Sequence, residues 1–152
     1  MFFYKLSGYR MSADEAYLII RGLRTLDVGL KKDHENTRIV INFLKKQKKI
    51  KEILYPYKPS SKRYKLWKKY YSGANGLFSI VIKSKKKSSV IKFVNSLQLF
   101  GIGYSWGGFE SLVVYQNIER VHKKYLKKNN HIVRFHIGLE DPKDLIQDLK
   151  NC

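Results

Sequence analysis

The chain has 152 residues, of which 43% are hydrophobic and 14% are aromatic. This length and composition fit one domain with a substantial core, and they exclude a disordered tail. No apolar run approaches the ~18 residues of a membrane span, and the first residues do not resemble a signal peptide, so we expect a soluble cytoplasmic protein. Cys152 is the single cysteine, so we expect neither an intramolecular disulfide nor a cysteine-based metal or nucleophile site.

The formal net charge is +19, which raises nucleic acid or another anionic surface as a partner. The positive residues are 24 lysines and 7 arginines, spread along the whole chain. Base recognition favours arginine, because its planar guanidinium donates two parallel hydrogen bonds, whereas scattered lysines are typical of a solvated surface. We therefore favour a solvated lysine surface. A basic nucleic-acid-binding module, with interleaved Tyr and Trp as stacking platforms, is the alternative.

The chain begins with a predicted long helix over residues 12–47, after a tail over residues 1–11. Ser12 and Glu15 have the spacing of a capping box, and the apolar residues that follow recur with a helical period. Gly22 and Gly29 weaken this helix, by roughly 1 kcal/mol each relative to alanine.

Short strands and helices alternate in the rest of the chain. The predicted strands cover about residues 50–55, 77–82, 99–104, 111–114 and 132–137. The predicted helices cover about residues 61–71, a segment capped by Ser88 or Ser89 that ends near Leu97, and a final segment that starts at Pro142 with Asp141 as its cap. This order predicts an α+β domain, in which helices cover one face of a small mixed or antiparallel sheet.

The densest cluster of candidate binding residues is the segment 101–111. Its four glycines allow the backbone to approach a ligand closely. Tyr104, Ser105 and Trp106 supply hydroxyl groups, an indole donor and aromatic faces. A glycine-rich bend between two strands is the alternative, because the spacing is not that of a phosphate loop.

A second cluster lies in the strand predicted at 132–137. Alternation places Arg134 and His136 on the face opposite to Val133 and Phe135. A buried arginine needs a carboxylate partner, since removing such a partner costs about 3–5 kcal/mol. The planar guanidinium suits a two-point grip on a carboxylate, which is either a side chain or the α-carboxylate of a substrate. We predict a structural role for His136.

The other histidines and the first helix carry weaker signals. His34, His122 and His131 form no ligand pattern, so we predict no metal site. Arg21 and Arg24 lie three residues apart and share one helix face. Taken alone, this pair is a solvated basic stripe.

Together and in this order, these clusters resemble the Cys/Met-metabolism family of fold-type I pyridoxal-phosphate-dependent enzymes, and within it the carbon–sulfur lyases of the cystathionine β-lyase kind. The resemblance runs from about residue 7 to 149. Its most specific piece is Tyr-Ser-Trp-Gly-Gly-Phe-Glu-Ser-Leu at 104–112, where a Trp precedes the glycine pair. The other matching segments are 12–17, 21–26, 34–36, 72–79, 133–141 and 144–149.

The resemblance implies a role in substrate binding for this part of the chain. Arg134 would hold the α-carboxylate of a sulfur amino acid, Ser105 and Trp106 would line the same pocket, and Tyr104 would lie close behind. The parent family uses pyridoxal phosphate to cleave cystathionine by β-elimination to homocysteine, pyruvate and ammonia. Orientation of the substrate Cα–H bond would be the contribution of these residues.

The resemblance also implies that the cofactor lysine lies elsewhere. In the family this lysine, the Asp paired with the pyridine nitrogen and most phosphate ligands belong to a large domain upstream of the matched segments. Lys5 does not match the lysine motif, and Gly29 stands where relatives commonly carry a basic residue. We therefore expect no catalytic residue and no covalent cofactor in this chain.

This departure leaves two expectations for a protein of this family. The chain is either an inactive, truncated remnant comprising the linking helix (12–47) and a small C-terminal domain (48–152), or half of a split enzyme that docks on a separate N-terminal chain. In both cases, apolar surface on the first helix and near residues 104–108 would lie uncovered, and self-association would cover it.

Overall fold

The computed structural model describes residues 6, 8, 10–117 and 129–152. The expectations for Lys5 and His122, and most of the predicted tail, lie outside the described residues. None of the described helices is long and apolar enough to cross a membrane.

The first helix, α1 (Ala13–Leu23), begins at the predicted capping box. The Ser12 hydroxyl accepts a hydrogen bond from the Glu15 amide at 3.2 Å, and the Glu15 carboxylate accepts one from the Ser12 amide at 2.7 Å. Each of these bonds satisfies an amide that the first turn of a helix leaves without an intrahelical partner.

The prediction of one continuous helix over residues 12–47 is wrong. The chain turns at Arg24 and Thr25, and a second helix, α2, covers Leu26–Leu44. The Gly22 carbonyl accepts both the amide and the hydroxyl of Thr25, at 3.2 and 3.3 Å. This turn, with its i to i+3 spacing, is tighter than an α-helix and ends α1. The apolar residues keep their helical spacing across Arg24 and Thr25, so the sequence pattern does not indicate the turn.

Five strands form a single sheet in the described part of the chain. They are β1 (Ile50–Leu54), β2 (Leu77–Lys83), β3 (Gly101–Ile102), β4 (Leu112–Gln116) and β5 (Asn130–His136). Their order is β1-β2-β5-β4-β3, and every pair is antiparallel except β3 with β4. The sheet is therefore mixed. The strand predicted at 99–104 is reduced to a two-residue parallel edge.

Three further helices connect or follow the strands: α3 (Tyr64–Tyr70), α4 (Lys87–Ser96) and α5 (Pro142–Asn151). The predicted cap of α5 is confirmed, because the Asp141 carboxylate accepts from the Lys143 amide at 2.8 Å. The predicted serine cap of α4 is wrong. Ser88 and Ser89 lie inside the helix, and Lys86 is the N-cap without a side-chain hydrogen bond.

The core lies on one face of the sheet, as predicted. Val133, Phe135 and Ile137 are fully buried there, and the Phe135 ring stacks on Phe78 with 5.6 Å between centroids. The helices α2, α4 and α5 supply the other side of this core, through residues such as Val40, Leu44, Val90, Val94, Leu145 and Leu149. On the opposite face of β5, Arg134 and His136 contact the loop that follows β3.

Candidate functional site

A single loop, residues 103–111, packs against the C-terminal half of β5 and its extension; we call it the glycine loop. Every second residue from Arg134 to Glu140 contacts this loop. Arg134 and His136 contact it with side chains that leave the same face of the strand. Beyond β5, Gly138 and Leu139 donate backbone hydrogen bonds to the loop, and the Glu140 carboxylate accepts from it.

Arg134 contacts the start of the glycine loop. Its Nη2 donates a hydrogen bond to the Tyr104 carbonyl at 2.5 Å, and its guanidinium carbon lies 5.5 Å from the centroid of the Tyr104 ring. In the sheet, Arg134 is paired with Ser79 on β2 and Val114 on β4. The guanidinium is therefore held on the face of the sheet opposite to the core, and it is only partly buried.

The described residues do not supply Arg134 with a carboxylate. Lys31 and Asp27, with 2.6 Å between nitrogen and oxygen, form the one ion pair found in the described ranges. Of the two kinds of partner expected for Arg134, an internal side chain is thus not found there. A guanidinium has five donors. One of them is used on Tyr104, and the others have no hydrogen-bond partner among the described residues.

His136 contacts the glycine loop at its middle. Its ring is 2% exposed, and its Nε2 lies 3.0 Å from the Gly108 carbonyl oxygen and 3.2 Å from the Gly107 amide nitrogen. On the other side of the ring, a Cβ on Gly76 would lie 2.7 Å from the His136 Nδ1. Only a glycine at position 76 leaves room for the imidazole.

Ser111 and Glu140 close the end of the loop. The Glu140 carboxylate accepts from the amide and the hydroxyl of Ser111, both at 2.7 Å, and the Ser111 hydroxyl accepts from the Gly138 amide at 2.9 Å. The Asn36 side chain on α2 donates to the carbonyls of Gly138 and Glu140, each at 2.9 Å. The sequence does not indicate this cluster, because Asn36 and Glu140 are 104 positions apart and no local spacing relates them.

The tip of the glycine loop is exposed. Tyr104, Trp106 and Phe109 are 69%, 59% and 68% exposed, and Ser105 is exposed as well. The structure thus brings Arg134 and Tyr104 into direct contact and places Ser105 and Trp106 next to them in the chain. No hydrogen bond or ring contact of the described residues joins Ser105 or Trp106 to Arg134 itself.

The first helix also exposes apolar side chains, as expected. None of the residues of α1 is buried. Leu18, Ile19, Ile20 and Leu23 are each at least half exposed. Arg21 lies in the last turn of α1, and Arg24 is the C-cap of the same helix. The pair that was predicted to share a helix face therefore lies at the end of α1.

A wide groove of about 1120 Å³ lies between α2, α3 and the segment after β1. Tyr57 packs edge-on against His34 and Trp67, at centroid distances of 4.5 and 4.7 Å. Burial lowers the pKa of His34, and the charge of Arg38 lowers it further. The sequence does not indicate this groove, because its aromatic side chains come from separate segments.

Pyridoxal phosphate is held in its enzymes by a lysine amine and by a charged partner for its ring nitrogen. Within the described ranges, no hydrogen bond, ion pair or ring contact joins a lysine to Arg134 or to the glycine loop. Among the described residues, the surface beside Arg134 therefore presents a guanidinium with no lysine amine in contact with it. No three His, Cys, Asp or Glu residues of the described chain are arranged to hold a metal ion.

Comparison with known proteins gives the family. The family model described as Cys/Met metabolism PLP-dependent enzyme matches residues 1–152. Cystathionine beta-lyase MetC of Escherichia coli is 37% identical over 149 residues, which are 95% of this chain and 38% of MetC. An L-alanine/L-glutamate racemase of the Wolbachia pipientis strain wMel is 38% identical over 150 residues, or 96% of this chain and 37% of the racemase.

A solved structure supports the same assignment. A Campylobacter jejuni chain assigned as an O-acetylhomoserine (thiol)-lyase, which contains N′-pyridoxyl-lysine-5′-monophosphate, matches with a TM-score of 0.75 and 32% identity. The match covers 91% of this chain and 31% of that one. This chain thus spans about 38% of the length of MetC. It belongs to the family of pyridoxal-phosphate-dependent enzymes of Cys/Met metabolism.

Proposed function

We propose that this chain supplies the substrate-carboxylate site of a carbon–sulfur lyase of the cystathionine β-lyase kind. The observation that carries the proposal is the state of Arg134. It is fixed by β5 and by the Tyr104 carbonyl, it has no carboxylate partner among the described residues, and it borders an exposed aromatic loop. An arginine held in this way is prepared for a two-point contact with a carboxylate.

The proposed contribution to catalysis is positioning. The hydrogen bond to Tyr104 orients the guanidinium before a ligand arrives, so less freedom is lost on binding. With the carboxylate fixed by Arg134, Ser105 and Trp106 would limit the orientation of the rest of the amino acid and exclude water from it. A fixed Cα–H bond lowers the entropic part of the reaction barrier.

The choice of substrate and reaction is part of the proposal. Relatives of nearly equal identity are named as a cystathionine β-lyase and as an amino-acid racemase, so overall identity does not separate these reactions. A contact to the α-carboxylate is common to both kinds of substrate. We assign β-elimination of cystathionine to homocysteine, pyruvate and ammonia because Trp106 before the glycine pair resembles the bacterial β-lyases.

Titration of the chain with L-alanine tests the carboxylate site. The measured signal is the NMR resonance of the Arg134 Nε–H, and ethylamine is the control ligand because it equals L-alanine without the carboxylate. We expect L-alanine to shift the Arg134 signal with saturation and ethylamine to leave it unchanged.

Two arginine variants give the matched comparison. Arg134→Ala should abolish L-alanine binding, whereas Arg38→Ala, at an exposed position on α2, should bind as the unaltered chain does. Equal L-alanine affinity in both variants would count against the proposed site.

The alternative form of the proposal is a split enzyme, in which this chain docks on a separate chain that carries the cofactor lysine. The exposed apolar side chains of α1 support a docking partner, and self-association is the competing way to cover them. Co-expression with a lysine-bearing chain should give a co-purifying complex that releases pyruvate and homocysteine from cystathionine. A stable homo-oligomer without such a complex would favour self-association.

A labelling experiment checks that this chain alone does not anchor the cofactor. The chain is incubated with pyridoxal phosphate, reduced with borohydride and analysed by mass spectrometry. We expect no site-specific pyridoxyl adduct. A stoichiometric adduct on one lysine would contradict both forms of the proposal.

A further inference from the structure

We infer that His136 is a positioning residue of the carboxylate site, which fixes the middle of the glycine loop so that Ser105 and Trp106 are presented beside Arg134. The inference rests on the proposed function and assigns a specific task to a histidine that the sequence indicated only as structural.

The tip of the glycine loop has few anchors. Among the hydrogen bonds of the described residues, residues 104–108 are held by Arg134 at Tyr104 and by His136 at Gly107 and Gly108, and by no other group. Gly107 has a φ of +79°, a conformation that L side chains rarely adopt. Because glycine restricts the backbone so little, this part of the loop depends on contacts from outside for its shape.

The His136 contact works in either tautomer of the neutral ring. A protonated Nε2 donates to the Gly108 carbonyl at 3.0 Å, and an unprotonated Nε2 accepts from the Gly107 amide at 3.2 Å. Both atoms belong to adjacent residues, so the same part of the loop is held in both cases.

Packing alone does not account for an imidazole at this position. The Nδ1 of His136 is buried without a hydrogen-bond partner among the described residues, and burying an unpartnered polar atom is unfavourable. A phenylalanine ring of similar shape would avoid that penalty. The Nε2 contact with the loop is what phenylalanine would lose.

The surroundings of the ring keep it in place. Gly76 packs directly against it, and Leu77 and Leu112 are its neighbours on the adjacent strands. The ring therefore transmits the position of the rigid sheet to the loop, and the loop in turn carries the residues that border Arg134.

Three variants of the full chain test this role: His136→Phe keeps the ring, His136→Gln keeps a side-chain donor and acceptor, and His131→Phe is the matched control at the far end of β5. The readouts are the L-alanine affinity, the exchange rate of the Gly107 amide proton and the NMR resonance of the Trp106 indole.

For His136→Phe we expect an L-alanine affinity about 3- to 10-fold weaker, as for one lost hydrogen bond, with faster Gly107 exchange and a shifted Trp106 resonance. His136→Gln should restore the affinity to within about twofold, because its amide can replace the lost contact. His131→Phe should behave as the unaltered chain. The inference would be overturned if the His136→Phe variant bound L-alanine as tightly as the His136→Gln variant does.

Two further measurements separate failure of folding and failure of the proposed function from failure of the inference. If His136→Phe does not fold, ring ¹⁵N shifts of the unaltered chain decide the matter, and an Nε2 without a hydrogen bond overturns the inference. If the unaltered chain binds no L-alanine, the proposed function fails. The Gly107 exchange rates and the Trp106 resonance still test whether His136 positions the loop.

Discussion

Arg134 and His136 lie two residues apart on β5 and hold different parts of one loop, Arg134 at the Tyr104 carbonyl and His136 at Gly107 and Gly108. The spacing follows from strand geometry, since side chains two apart share a face and their Cα atoms lie about 6.6 Å apart. The flanking residues Val133 and Phe135 point to the core instead. One strand therefore stabilises the fold on one side and organises the candidate site on the other.

Arg134→Lys tests the need for the planar guanidinium. Lysine keeps the positive charge but cannot form two parallel hydrogen bonds to a carboxylate. We expect the L-alanine affinity to fall by about 1.5–3 kcal/mol, the contribution of a charged hydrogen bond. The measurement is the same NMR titration, with Arg38→Lys as the control. An unchanged affinity would mean that charge alone is sufficient.

Replacement by alanine should affect ligand binding at Trp106 and the stability of the fold at Trp67. Trp106 is 59% exposed, so Trp106→Ala should change the free energy of unfolding by less than about 0.5 kcal/mol while weakening ligand binding. Trp67 packs on Tyr57 and Tyr64, at centroid distances of 4.7 and 5.6 Å. Trp67→Ala should therefore cost about 1–3 kcal/mol, from two aromatic pairs. Urea denaturation measures both. An equal loss in the free energy of unfolding for both variants would contradict a role of Trp106 in binding rather than in folding.

Gly76→Ala should destabilise the fold. The added Cβ would lie 2.7 Å from the His136 Nδ1 and would also meet the Ile137 carbonyl oxygen. Overpacking of this kind costs about 1–3 kcal/mol. Gly73→Ala is the matched control, because nothing lies within 4 Å of its added Cβ. Thermal unfolding should show a lower Tm for Gly76→Ala alone, and a similar Tm for both variants would contradict this packing.

Asp33→Asn should stabilise the protein at neutral pH. Burial raises the pKa of the Asp33 carboxyl above its usual value. His136 in its protonated form would oppose the rise, and the negative charge of Glu140 adds to it. The folded state holds the Asp33 proton more tightly than the unfolded state does. Protonated Asp33 therefore contributes stability at low pH, and this contribution is lost as the pH rises through the raised pKa. Asparagine carries no charge, so its advantage should be full at pH 7 and shrink toward pH about 4.

Asp148→Asn is the matched control for this pH series. The Asp148 carboxylate is buried and accepts hydrogen bonds from the amides of Gln98 and Leu99. Its replacement should therefore lower the free energy of unfolding, by about 1.5–3 kcal/mol at neutral pH. Urea denaturation at pH 5 and pH 7 gives both values. A stabilised Asp148→Asn, or a destabilised Asp33→Asn, would contradict these environments.

Periodic patterns predicted most of the elements. The alternation around Arg134 was enough to place Val133 and Phe135 in the core and Arg134 and His136 on the other face, and the structure confirms this. The turn at Thr25 was missed, because the helical period of the apolar residues continues through it. The cap of α4 was also predicted wrongly, because serines at the start of a helical pattern do not indicate which residue begins the helix.

The candidate site was likewise predicted in part from the sequence and in part seen only in the structure. The sequence by itself determined the sheet-and-helix class and the residue types that could bind a carboxylate, since these depend on local spacing and composition. The family followed from the resemblance of its segments to known enzymes. Only the tertiary structure decided that Arg134 has no carboxylate partner among the described residues, that His136 contacts Gly107 and Gly108, and that Glu140 closes the loop at Ser111. Such contacts join residues 28 or more positions apart, and a sequence carries no periodic signal for distances of that length.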